Sequence, residues 1–299
     1  MRILQSDVLI LGETGLLGSA FVRFFKSNCF SLYRTVSRNS KDIKLDLTNA
    51  AALTQLLFSL KPKYIINCAA DLSSNITPSA SLKSWSVNTE LLNSIVSYCK
   101  ANNAKLLHVS TDQYYVNGEN KLHDEDEAVV LKNTYAVQKY LAERISLLDS
   151  NSLILRTSFV GFRKDSSRGL LAWLYQELYS DNITPIFSDA WTTSLHVDHL
   201  VEFACCLLFE KNASGIYNLG TQSAYTKAML FLRISERAGI SNPKYILTQS
   251  RDIDPEKPRS LGLECSRVQK ILGRNLPSFE ETVTKIITDI KGGRYDDCK

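Results

Sequence analysis

The chain has 299 residues, 44% of them hydrophobic, which is enough to bury a sizeable core and too much for a disulfide- or metal-stapled mini-domain. Its formal charge of +4 comes from 35 basic and 31 acidic residues scattered along the chain. That pattern offers neither a nucleic-acid stripe nor a polybasic membrane patch, and it suits a small acidic ligand better.

The N-terminus enters a buried-strand pattern directly, without a basic start or a cleavage site, and no apolar run reaches membrane-spanning length. Of seven cysteines, Cys68, Cys99, Cys205 and Cys206 fall in apolar segments, and none shows Cys-x-x-Cys spacing. Reduced thiols and a cytoplasmic location are the expectation. Asp7 to Leu11 is a short continuous apolar run, the mark of a parallel strand covered on both faces. It leads into Gly12-Glu13-Thr14-Gly15-Leu16-Leu17-Gly18 and then a helix through Phe21, Phe24 and Phe25. Gly12 permits a tight turn, Gly15 lets a pyrophosphate approach the backbone, and Gly18 allows close packing of helix on strand, with the helix N–H groups facing the phosphates. Gly12, Thr14, Gly15, Leu16, Leu17 and Gly18 are therefore candidate dinucleotide contacts.

A second strand is expected over residues 31–36. An NAD site usually carries a carboxylate where this strand ends, whereas here Ser37-Arg38-Asn39-Ser40-Lys41 follows. Arg38, with Ser37 or Ser40 and Lys41 nearby, points to the 2′-phosphate of NADPH; the other reading is a solvated basic loop. Asp46-Leu47-Thr48 closes another short strand and caps a helix, with Asp46 and Leu47 as further cofactor contacts. Tyr64 to Asn67 is a fourth strand, and the small residues Cys68, Ala69 and Ala70 after it would let a nicotinamide ribose lie against the backbone. Residues 81–102 read as a long helix whose apolar side includes Asn88, either a structural bridge or part of a proton path.

Leu106 to Val109 is an apolar strand ending in Ser110-Thr111-Asp112, and Tyr135 and Lys139 follow on a helical pattern. Four residues apart, Tyr135 and Lys139 share one helix face, so an ammonium sits near a phenol and favours its ionised form. Thr111 supplies a hydroxyl for a substrate oxygen while a proton moves. Residues 152–155 form a further strand. The alternation up to this point predicts an α/β fold with a doubly wound parallel Rossmann sheet, over residues 1–160 with a returning segment near 190–220. Residues 161–299 would mainly build a smaller C-terminal α/β substrate lobe, with helices at 168–180, 196–209, 225–238, 266–272 and 278–290 and strands at 185–189 and 215–219. The histidines 108, 123, 196 and 199 show no ligand spacing and no metal is expected; His123 is placed in an acidic loop, and residues 124–127 are read as solvated.

These motifs resemble the extended short-chain dehydrogenase/reductases, and within them the dTDP-4-dehydrorhamnose reductase branch. The likeness rests on Gly12-x-x-Gly15-x-x-Gly18, Asp46-Leu47-Thr48, Asn67-Cys68-Ala69-Ala70, Val87-Asn88, Ser110-Thr111-Asp112, Tyr135-x-x-x-Lys139, Leu155-Arg156-Thr157-Ser158 and Lys257-Pro258-Arg259-Ser260-Leu261. It implies a catalytic Thr111, Tyr135 and Lys139, NADPH as donor, and a nucleotide-linked 4-keto-6-deoxyhexose as substrate. Asp112, Gln113, Phe159, Trp191 and Arg259 fall where such a substrate would sit, and several differ from the usual residues of the branch. In the related dehydratases an Asp-Glu pair follows the catalytic Thr, whereas this chain has Asp112-Gln113, and an amide is no general base. A nucleotide-sugar 4-epimerase and a non-catalytic NADP-binding regulatory subunit, as in methionine adenosyltransferase, are the alternatives, and a homodimer is left open.

Overall fold

The computed structural model describes residues 8–30, 32–72, 78–115, 122–163, 169–253 and 258–293. The elements in chain order are β1 (Val8–Leu11), α1 (Leu16–Ser27), β2 (Tyr33–Ser37), β3 (Ile43–Lys44), α2 (Ala50–Leu60), β4 (Tyr64–Asn67), α3 (Pro78–Trp85), α4 (Leu91–Asn102) and β5 (Lys105–Val109). They continue with β6 (Leu122–His123), α5 (Thr134–Ser146), β7 (Leu153–Thr157), β8 (Phe159–Val160), α6 (Leu170–Leu178), β9 (Thr184–Phe187), β10 (Trp191–Thr192), β11 (Leu195–His196), α7 (Val197–Cys205) and β12 (Gly215–Leu219). The last are β13 (Tyr225–Thr226), α8 (Lys227–Ala238), β14 (Tyr245–Thr248), α9 (Ser250–Ile253), β15 (Ser260–Leu263), α10 (Ser266–Leu272) and α11 (Phe279–Lys291).

Two compact units result: Met1–Thr111, Leu131–Arg156 and Val201–Tyr217 form the first, and Asp112–Val130, Thr157–Leu200 and Asn218–Lys299 the second. The sequence pattern alone places residues 112–130 with the first unit. They belong with the second because β6 pairs with β15, Leu122 opposite Gly262 and His123 opposite Leu263.

The first unit is built on a seven-stranded sheet in the order β12-β7-β5-β4-β1-β2-β3. The pairings of β1 with β2 and β4, of β4 with β5, of β5 with β7 and of β2 with β3 are parallel. Strands such as β1, β5 and β7 are buried along their whole length, as helices on both faces require, which is why they read as unbroken apolar runs. From β1 the chain winds one way to β2 and β3 and the other way to β4, β5 and β7, so the strand order reverses between β1 and β4. Ligands of such sheets bind outside the carboxyl ends of the strands at that reversal. The fold is thus the doubly wound α/β sheet that the sequence predicts. Leu9, Leu11, Leu53, Leu57, Ile65, Leu92, Ile95 and Leu106 pack one of its faces.

Helix α2 is capped by Asn49, whose side chain accepts from the Ala52 N–H, while Asp46 accepts from the Thr48 N–H instead. The long helix expected over 81–102 is divided by a π-helical turn at Ser86–Glu90, which carries Asn88.

In the second unit a four-stranded sheet runs β13-β10-β15-β6, and helices α6, α8 and α11 enclose a separate core with Leu171, Leu174, Phe231, Ile234, Val283 and Ile286. A capping box fixes the start of α11, with the Ser278 hydroxyl and the Glu281 carboxylate satisfying each other's backbone N–H groups. His123 stands in β6 rather than in a loop. It is buried and stacked on Tyr115, with ring centroids 4.4 Å apart, and its Nδ1 lies 3.0 Å from Glu127 Oε1. Glu125 departs from the solvated acidic run: it is buried and accepts from the Asn218 N–H at 2.7 Å. Among the described residues no helix is long and apolar enough to cross a membrane.

Candidate active site

The turn from β1 into α1 is held by close backbone approach. Gly12 has φ +85°, and a Cβ there would stand 2.9 Å from the backbone N and Cα of Ala69. A Cβ at Gly18 would drive into the Gly12 carbonyl. The cradle therefore exists only with glycine at both places, and it lies against the Cys68-Ala69 segment that follows β4. Cys68 N–H donates to the Leu11 carbonyl at 3.0 Å, closing the two strand ends together. Among the described residues no side chain caps α1, so its first N–H groups are open to an anion, and the cradle fits a dinucleotide pyrophosphate. Thr14 is exposed and Leu16 half-buried, whereas Leu17 is buried, so only its backbone is open to a cofactor. Leu47 is likewise a core side chain, and Ala70 is exposed.

The carboxyl end of β2 differs from the sequence expectation that no acid stands there. Ser37 Oγ donates to Glu13 Oε1 at 3.2 Å, so a carboxylate reaches the strand end from the glycine turn rather than from the strand itself. Among the described residues Glu13 Oε2 is buried without a hydrogen-bond partner. Ser40 is unavailable to a phosphate. It is buried, donates to the Thr35 carbonyl at 3.2 Å and accepts from the N–H groups of Asp42 and Ile43. Arg38 and Lys41 are exposed. Arg38 also contributes, after the Thr48 N–H, to holding the Asp46 carboxyl below the usual carboxylate range.

Helix α5 buries an unusual face. Its buried residues are Ala136, Gln138, Lys139, Ala142, Glu143 and Ser146, four of them polar, where an ordinary helix would bury aliphatics. Asn133 caps the helix by accepting from the Ala136 N–H at 2.8 Å. Lys139 is 2% exposed and reaches β5, where its Nζ donates to the Val109 carbonyl at 2.7 Å and stands 3.2 Å from His108 Nε2. His108 Nδ1 in turn lies 3.2 Å from Asn67 Nδ2 at the end of β4. Burial, opposed by the charges of Glu143 and Cys68, brings the Lys139 ammonium down from 10.5 to about 8. Burial first, and then the Lys139 charge, keeps His108 neutral far below its ordinary range.

Thr111 follows β5 by two residues and is buried, as are Ser110 and Asp112. Tyr135 is half-buried, one turn before Lys139 on α5. The helix is clamped to β7 by a buried pair in which Arg156 Nη2 donates to Glu143 Oε2 at 2.9 Å and Nε to Oε1 at 3.1 Å. Asn88 is the structural bridge of its two readings. It accepts from the Asp71 N–H, donates to the Asp71 carbonyl and gives a second hydrogen to Gln138 Oε1 at 2.7 Å.

The substrate candidates Asp112, Gln113, Phe159, Trp191 and Arg259 all belong to the second unit. There Trp191 and Arg259 meet, the indole residue's backbone N–H donating to the Arg259 carbonyl at 2.7 Å. Phe159 lies opposite Leu195 in a two-stranded parallel pair. Lys257, which helped to carry the resemblance, lies outside the described residues. Sequence reasoning missed Asn67 as a polar contact and His108 as anything but core. The available signal was a histidine inside an apolar strand three residues before a strand-end Thr.

The family model for the RmlD substrate binding domain matches residues 6–291. The chain belongs to that family, and with it to the extended short-chain dehydrogenase/reductases. Over 93% of its length it is 24% identical to "Probable low-salt glycan biosynthesis reductase Agl14" of Haloferax volcanii, covering 96% of that protein. It is also 23% identical to methionine adenosyltransferase 2 subunit beta of Bos taurus, over 93% of this chain and 86% of the relative. Among solved structures, the dTDP-4-dehydrorhamnose reductase of Bacillus anthracis in complex with NADP superposes with a TM-score of 0.82 at 18% identity, over 95% of this chain and 99% of the other.

Proposed function

We propose that the protein reduces a nucleotide-linked 4-keto-6-deoxyhexose with NADPH, as a dTDP-4-dehydrorhamnose reductase does. The observation that carries this reading is the polar buried face of α5, which brings Lys139 to the Val109 carbonyl at the end of β5, two residues before Thr111 in the chain, with Tyr135 one helical turn from Lys139. When bound, NADPH supplies the hydride for the keto carbon. The cradle of Gly12, Thr14, Gly15, Leu16, Leu17 and Gly18 takes the pyrophosphate, Arg38 the 2′-phosphate, and Cys68, Ala69 and Ala70 the nicotinamide ribose. Asp46 and Leu47 bound the adenine side.

Tyr135 donates its proton to the keto oxygen, Thr111 hydrogen-bonds that oxygen as negative charge develops, and Lys139 orients the phenol and the ribose. Asp112, Gln113, Phe159, Trp191 and Arg259 hold the nucleotide sugar. Gln113 supplies no carboxylate, which favours reduction over the elimination that a dehydratase performs. The test is NADPH oxidation across a panel of nucleotide 4-keto-sugars in the cytoplasmic pH range, with Tyr135→Phe as control. Wild-type turnover by Tyr135→Phe would sink the assignment.

The likeness to methionine adenosyltransferase 2 subunit beta favours a second reading, a cofactor-binding regulatory subunit. Tight NADPH binding with no turnover on the whole panel, together with co-purification of a partner enzyme, is its signature.

A further inference from the structure

The hydrogen bonds behind Lys139 have a direction, and it bears on the charge of the lysine. The Ala69 N–H donates to Asn67 Oδ1 at 3.2 Å, which fixes the carboxamide: the other end, Nδ2, has only hydrogens to offer. It faces His108 Nδ1 at 3.2 Å, so that ring nitrogen must accept. A neutral imidazole with a bare Nδ1 carries its hydrogen on Nε2, and Nε2 points at Lys139 Nζ, 3.2 Å away. A neutral amine has a lone pair for that hydrogen and still donates to the Val109 carbonyl at 2.7 Å. An ammonium has none. Protonating Lys139 sets N–H against N–H, and moving the histidine hydrogen to Nδ1 only transfers the collision to Asn67.

We propose that Asn67 and His108 are positioning residues that hold Lys139 ready to give up a proton to Tyr135. The proposal rests on the reductase reading above. As the Tyr135 O–H breaks and a substrate O–H forms, a Lys139 N–H breaks and the Tyr135 O–H is restored. The lone pair left on Nζ is taken up by the His108 Nε2–H, and solvent returns a proton to Lys139 before the next turnover. The other groups facing the amine are the Val109 carbonyl from β5, Glu143 from the next turn of α5 and Cys68 after β4. Both Glu143 and Cys68 favour the cation, so the opposing influence is burial together with the hydrogen-bond conflict.

Asn67→Asp tests this with an isosteric change that reverses the conflict. The new carboxylate still accepts from Ala69, accepts a hydrogen from His108 Nδ1 and leaves the Nε2 lone pair to receive one from an ammonium. In cofactor-free protein labelled at lysine Cε with carbon-13, the Lys139 signal is assigned by its loss in Lys139→Arg. Its titration midpoint is expected to rise by about one pH unit or more in Asn67→Asp, and the alkaline limb of kcat to move with it. In a His108→Phe background the same substitution should move the midpoint far less, because the effect passes through the ring. An unchanged midpoint, or an equal rise with and without His108, would overturn the proposal. The wild-type protein gives a check that needs no variant to fold: nitrogen-15 shifts of the His108 ring should place its hydrogen on Nε2, and a hydrogen on Nδ1 would refute it. These titrations need no substrate, so a protein that behaves as expected here yet reduces no keto-sugar contradicts the reductase reading alone.

Discussion

Replacing Lys139 by Met should stabilise the protein at neutral pH while removing its activity. Lys139 is 2% exposed, and its ammonium titrates near 8 rather than at 10.5, so at pH 7 the fold holds a cation it disfavours. A fall of that size corresponds to about 3 kcal/mol of folding free energy. Methionine keeps the length and apolar stem of the chain but forfeits the charge-assisted hydrogen bond from the ammonium to the Val109 carbonyl, about 2 kcal/mol, while the His108 Nε2–H meets no acceptor in either protein at this pH. Roughly 1 kcal/mol of net stabilisation remains. Glu143 does not become an orphan charge, because Arg156 still holds both its oxygens.

The pH dependence gives the sharper test. A depressed lysine pKa imposes its full penalty below about 8, and the penalty fades as pH climbs from there towards 10.5. Urea denaturation of both proteins at pH 7 and pH 10 should therefore find the advantage of Lys139→Met at pH 7 and find it shrinking or reversed at pH 10. A variant less stable than wild type at pH 7, or a difference that does not change between the two pH values, would refute the reasoning.

Tyr135→Phe should lower kcat by about 100- to 10,000-fold with little change in KM, since a proton donor used only in the transition state is removed; steady-state kinetics on the best keto-sugar checks it. Arg38→Ala should weaken NADPH by about 1–3 kcal/mol and NADH much less. Because the Glu13 carboxylate stands at the same strand end, Glu13→Gln should shift preference the other way, towards NADPH, and calorimetric titration with both dinucleotides reads both effects. Gly18→Ala should abolish dinucleotide binding or folding, because its Cβ has no space beside the Gly12 carbonyl, and thermal melts with and without NADPH separate the two outcomes. Leu53→Ala, at a position with no exposure in the core of the first unit, should cost about 2–5 kcal/mol in chemical denaturation without altering KM.

The parallel sheet was legible in the sequence because its strands are covered on both faces and so show as unbroken apolar runs, with glycine at the one turn where backbones nearly touch. The order of Thr111, Tyr135 and Lys139 was legible because strand end followed by helix is local information. What stayed hidden depends on distant partners. Glu13 looks like a solvated turn residue until β2 brings Ser37 to it. His108 reads as core because nothing in a strand pattern reveals that Lys139 and Asn67 flank its ring. The assignment of residues 112–130 to the second unit follows from a two-residue pairing with β15, more than a hundred residues away, which periodicity cannot detect.

The central claim is tested most directly by following the label from 4-deuterated NADPH during reaction with a nucleotide 4-keto-6-deoxyhexose. The account predicts one NADPH consumed per sugar and deuterium at carbon 4 of the product, seen by proton NMR and mass spectrometry. Product formed without net loss of NADPH, or a 4-keto product generated from the unmodified hexose nucleotide, would contradict it.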